Sequence, residues 1–224
     1  MSTGQEFNTL LGHSEIIQSI CFNFDGSLIS TTCKDKKLRI FDVRSNKIVQ
    51  ETNGHQGVKG SRVIWLGHLN KMATTGFSKS SDRQVFIWDS NSLIEPLKQE
   101  NIDTASGALM PYYDDGTNML YLAGKGDGNI RYFEWNDDEK GLYLLSEYKS
   151  SEPQRGIGFI PKRNVNVSEV EITRAFKVHV NMVEPISFKV PRKVFIFNLE
   201  RFFPIRLVSR MSRRRSEFNS ARIL

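Results

Sequence analysis

Gly12-His13 leads to Phe41-Asp42 and Gly54-His55 leads to Trp88-Asp89, so one motif occurs twice in the first ninety residues. The histidines stand 42 positions apart (13 to 55) and the closing aspartates 47 (42 to 89). Between opening and closing, alternating apolar and polar residues are broken by turn signals such as Asp25-Gly26. A period of about 40–50 residues with a Gly-His opening and a Trp-Asp closing is the signature of a β-propeller blade. A blade cannot bury both faces of its sheet alone. Two blades therefore predict more, and predict a scaffold for binding.

The strands follow from a period-2 pattern between tight turns. In the first unit Ile16, Ile20, Phe22 and Phe24 begin one, Leu28 to Cys33 forms the second, Leu38 to Phe41 the third, and Ile48-Val49 starts the fourth. The second unit repeats this with Arg62 to Leu66, Met72 to Gly76 and Gln84 to Trp88, after which Leu93 to Leu97 lead onward. A third unit lacks Gly-His but keeps the rhythm through Ala108–Tyr112, Met119–Leu122, Ile130–Glu134 and Leu142–Tyr148. A degenerate fourth is expected from Gly156–Phe159, Val170–Val178 and Pro185–Val190. The fold class is all-β: a partial propeller over 8–193, followed by a basic tail over 194–224.

His13 with Asp35, and His55 with Asp82, occupy the positions before the blade and in the turn between its second and third strands. A carboxylate orienting an imidazole is half of a nucleophilic triad. In WD-repeats, however, the pair belongs to a buried hydrogen-bond network that pins the blade's turns and finishes on a tryptophan, here Trp88. The structural role is the expectation. Phe41 stands where the first unit would carry that tryptophan, so its network lacks an indole donor. Gly124-Lys125-Gly126-Asp127-Gly128 lacks the spacing and the Ser/Thr of a P-loop and reads as a hairpin turn. His13, His55, His68 and His179 show no metal-ligand spacing, and Cys21 and Cys33 form no CxxC. No catalytic residue, cofactor or metal is expected.

Net charge is +6, but it is unevenly placed. From Pro191 onward nine Lys/Arg face only Glu200 and Glu217, so the preceding residues carry about −1. The tail admits three readings: a solvated, poorly ordered end, weak contact with anionic membranes or acidic faces, or nonspecific contact with nucleic-acid phosphates. MSTGQEFNTL has neither the basic start nor the apolar run of a signal peptide, and two cysteines suit a cytoplasmic chain without disulfides.

Several segments resemble the coronin family. Thr74-Thr-Gly-Phe-Ser-Lys-Ser-Ser-Asp-Arg-Gln-Val-Phe-Ile-Trp-Asp89 is similar to a TTGFS–RQ–WD pattern of coronins, and Ser27 to Arg39 resembles another coronin blade. Leu122 to Glu134 and Gln154 to Arg163 resemble the family's GKGD–IRYFE and QRG–PKR segments, and Val190-Pro-Arg-Lys193 its exit from the propeller. The resemblance implies about four blades, roughly the fourth to the seventh, of a seven-bladed ring. It further implies a non-enzymatic module that binds filamentous actin, acts on the actin-nucleating complex of actin-related proteins, and resides in the cytoplasm at cortical actin. The filament-binding surface of the first blade has no counterpart here, so no actin-contact residue is assigned. The family's C-terminal coiled coil is also missing from the tail. A WD-repeat scaffold for multiprotein assembly without actin binding is the alternative.

Overall fold

Turn chemistry and alternating side chains set the elements of the computed structural model, which describes Glu6 and residues 8–190. The first blade is an antiparallel meander of β1 (Ile17–Phe22), β2 (Leu28–Cys33), β3 (Lys37–Asp42) and β4 (Lys47–Asn53). The second contains β5 (Arg62–Trp65), β6 (Lys71–Phe77), β7 (Arg83–Asp89) and β8 (Lys98–Asp103). The third contains β9 (Leu109–Asp114), β10 (Met119–Gly124), β11 (Asn129–Asn136) and β12 (Gly141–Lys149). Three of the hairpin turns place Asn46, Asn70 and Asn118 at φ 57°, 50° and 54°. Asparagine tolerates this left-handed region because its short polar side chain bonds locally.

The fourth blade has three strands among the described residues: β13 (Gly156–Phe159), β14 (Glu171–Val178) and β15 (Val183–Lys189). Two short 3₁₀ turns, Lys162–Asn164 and Val167–Glu169, fill the connection before β14. The strand expected from Val170 starts one residue later, because Val170 takes φ 54° as the cap of the second turn. The basic tail expected over 194–224 lies outside the described residues.

The second strand of each four-stranded blade is buried almost throughout, because it pairs with a strand on either side, and in the second and third blades neighbouring blades also cover both of its faces. Three apolar cores follow, one at each junction between successive blades. Leu38 and Ile40 meet Val63, Trp65 and Trp88 at the first. At the second, Leu66, Val85 and Ile87 meet Leu120, Leu122 and Trp135. Tyr121 and Ile130 meet Ile172, Ile186 and Phe188 at the third. Strands β1, β5, β9 and β13 adjoin one another from blade to blade, which puts β4, β8 and β12 at the outer rim.

Candidate functional site

In the second blade Trp88 Nε1–H donates to Thr74 Oγ1 at 2.8 Å, and His55 Nε2 lies 3.0 Å from the same hydroxyl. The imidazole is 5% exposed and stacks on Phe86 at 4.1 Å. Gly76 makes the seat, since a Cβ there would collide with the His55 ring. Burial pulls the His55 pKa down to about 4 against the opposing pull of Thr74 and Gln84. The ring is therefore neutral at physiological pH.

Asp82 does not join this network. It accepts from the Ser80 and Ser78 hydroxyls at 2.6 and 2.9 Å, at the tip of its turn. The first blade repeats the divergence. His13 Nε2 lies 2.8 Å from Thr31 Oγ1 and the ring stacks on Phe41, while Asp35 accepts from Arg39 at 2.6 Å and from Ser14 at 3.1 Å. Burial alone raises the Asp35 pKa, but the Arg39 guanidinium and the Lys37 backbone N–H hold it well below the usual carboxylate range. The His–Asp pairing read from the motif is thus replaced in both blades by a His–Thr pairing. Serines and an arginine on the turn compete successfully for the aspartates. Neither blade presents the base-and-carboxylate couple of a nucleophilic triad.

The strongest polar assembly was missed by the motif reading. Arg83, 1% exposed, leaves the second blade and crosses to the third. Its guanidinium donates to Asp103 at 2.6 Å, pairs with Asp127 at 2.7 Å and donates to Gly107 O at 3.1 Å. Arg131 joins Asp103 from the other side. A Cβ at Gly124 would strike both Asp127 and Arg83, so glycine there admits the clamp. Gln154 completes the turn, donating to Gly124 O and Asn129 O at 2.8 Å each. The Gly-rich hairpin therefore receives Arg83, and Gln154 braces that hairpin. At the last junction buried Lys177 donates to Gly128 O at 3.3 Å, and His179 pairs with Glu184 at 2.9 Å.

Between the first two blades the surface forms a shallow cleft. Lys34, Lys36, Lys37 and Lys59 line it together with His55 and Val58, and no Asp or Glu is among the lining residues. Lys36 Nζ donates to Gln56 O at 2.8 Å, while Lys59 Nζ donates to Ser106 O at 3.1 Å and lies over the Phe77 ring. Among the described residues no cluster of three or more His, Cys, Asp or Glu could hold a metal ion, and Cys21 and Cys33 are free thiols. What the molecule offers is a rigid frame with shaped, charged seams, the equipment of a binding module.

Comparison with known proteins agrees with this frame. The family model described as "WD40: WD domain, G-beta repeat" matches residues 4–42. The coronin-like protein crn1 of Schizosaccharomyces pombe is 54% identical over 189 residues, covering 84% of this chain and 31% of its own length. Coronin-A of Dictyostelium discoideum is 53% identical over 194 residues, covering 87% of this chain and 43% of its own. The crystal structure of the WD40 domain from Toxoplasma gondii coronin superposes with a TM-score of 0.80 at 36% identity, over 84% of this chain and 50% of that one. The chain thus spans less than half the length of the two curated relatives.

Proposed function

Because this chain belongs to the coronin family as a part of its WD-repeat propeller, we propose that it is a non-enzymatic interaction module of the actin cytoskeleton that docks on filamentous actin. The observation that carries the reading is the 54% identity to a coronin-like protein over 189 residues, nearly the whole of the four described blades. The geometry supports it in kind. The polar side chains that invite a catalytic reading are absorbed into the blades: His55 is neutral and seated on Thr74, and Asp35 is held by Arg39. The residues left to act are those on the rims and seams. This reading places the protein in the cytoplasm with cortical actin, and makes the actin-nucleating complex of actin-related proteins a second partner.

Co-sedimentation with actin filaments at physiological salt tests it. The expected result is saturable pelleting of the chain with filaments and none without them. A chain that stays in the supernatant at every filament concentration overturns actin docking and leaves a WD-repeat scaffold with other partners.

A further inference from the structure

The row of blades has two end faces, and among the described residues each leaves apolar sheet surface uncovered. Residues paired directly across neighbouring strands share a face. In the first blade Leu38 and Ile40 turn toward the second, so the rows Ile20–Thr31–Arg39 and Phe22–Ile29–Phe41 point away from it. Ile20 and Phe22 on that face are each more than half exposed. In the fourth blade Ile157, Ala175, Lys177 and Ile186 turn toward the third. The alternate rows, Gly158–Phe176–Pro185 and Gly156–Val178–Val183, point outward. Phe176 and Val178 stay 37% exposed, and Val183 more than half. A Cβ on Gly156 or Gly158 would meet nothing, so β13 is an open trough beside Phe176 and Val178.

The inner junctions show how two such faces meet. First strands of successive blades adjoin, β1 with β5, β5 with β9 and β9 with β13. The side chains that β5 sends across, Val63 and Trp65, are buried against the first blade. Ile20 and Phe22 hold the matching register positions on β1. A β1 laid against β13 in the same manner brings these two bulky side chains over the glycine trough. We propose that the partner of both faces is a second copy of this chain, with β1 of each copy packed on β13 of the other. Head-to-tail contacts form a ring where the rotation closes and a filament where it does not. Two copies of the four described blades bring eight. Propellers close with about four to eight blades, so two copies suffice and a third overshoots. The proposal goes beyond the actin reading, and its test contains no actin, so each stands or falls separately.

Sedimentation equilibrium of the full chain tests it, with Phe22→Lys altering one face and Gly158→Glu the other. Both positions are exposed in the single chain, and Gly158 has room for a side chain. The wild type is expected at twice the monomer mass. Each variant alone weakens dimerisation by about a hundredfold, about tenfold at each of two contacts, because a charge entering an apolar contact loses its water. Mixed in equal amounts, the two variants dimerise again. One contact is then wild type on both sides, and the other sets the introduced ammonium opposite the introduced carboxylate. Circular dichroism and melting curves establish that the variants are folded, and Ile20→Lys with Gly156→Glu repeats the cycle where one of the first pair is not. A wild type that stays monomeric at tens of micromolar overturns the proposal, as do masses that grow past the dimer. A Gly158→Glu variant that dimerises like the wild type, or a mixture no heavier than its parts, overturns it equally.

Discussion

His55 is placed by what surrounds its ring more than by what it resembles. Its motif position suggests a carboxylate partner, yet the ring lies on Phe86 over Gly76 and shares the Thr74 hydroxyl with Trp88. The spacing identified a network residue but not its partner, because the choice between Asp82 and Thr74 depends on serines two and four residues away that occupy the carboxylate first. The pH dependence of stability follows from the seat. Folded His55 has its pKa near 4, against about 6.5 in an unfolded chain, so the unfolded state binds more protons between those values. Its contribution is fully present above pH 6.5 and is lost as pH falls toward 4, by up to about 3 kcal/mol. Asp35 and Asp103, whose folded pKa values are depressed, add stability above about pH 4 and lose it only below, so their window is separate. Urea midpoints measured from pH 7.5 to 4.5 should show the wild type losing its advantage over His55→Gln as pH falls through 6. An advantage that stays constant across that range would show that His55 is not held neutral by burial.

Strands were legible where neighbouring blades impose a pattern and illegible where solvent does. The buried run Leu28–Cys33 and the repeat Met119–Gly124 announce themselves through apolar and β-branched residues between turns. Strand β8 reads Lys-Gln-Glu-Asn-Ile-Asp and was missed, because an outer strand that pairs on one side only has little apolar surface to alternate. The clamp between the second and third blades was hidden for another reason. Its members come from β7, β8 and the turn after β10, and no local spacing joins them. What the sequence did show was the conspicuous glycine turn, whose purpose depends on an arginine from another blade. Arg83→Met keeps the bulk of the side chain but leaves Asp127 without its cation and Asp103 with Arg131 alone. Breaking a buried pair from one side is costly, and because both acids are partly exposed the expected loss is about 2–4 kcal/mol. Equilibrium urea unfolding measures it. Adding Asp127→Asn to Arg83→Met should cost far less than Asp127→Asn in the wild type, since the partner has already gone. Full additivity of the two changes would mean that the two side chains do not act as a pair.

The whole molecule is a row of equivalent junctions, and equivalence makes its end face informative. Register aligns Ile20 opposite Thr31 with Val63 opposite Thr74, and Phe22 opposite Ile29 with Trp65 opposite Met72. Val63 and Trp65 are 1% and 7% exposed because the first blade packs on them, and the Trp65 indole even donates to Cys21 O at 3.2 Å. Ile20 and Phe22 occupy the same two positions one blade earlier and are 58% and 54% exposed. Same chemistry and same geometry, but among the described residues no blade lies against it. Contiguous apolar surface of this kind drives association. The full chain at tens of micromolar is therefore expected to show a weight-average mass above that of a monomer, by sedimentation equilibrium or light scattering. The double substitution Ile20→Ser and Phe22→Ser should lower that mass toward the monomer. It should move the melting temperature by no more than a few degrees, because more than half of each side chain already faces water and little packing is lost. A mass unchanged by the substitution would mean that these positions do not carry the association. A large fall in melting temperature would mean that the face is already covered.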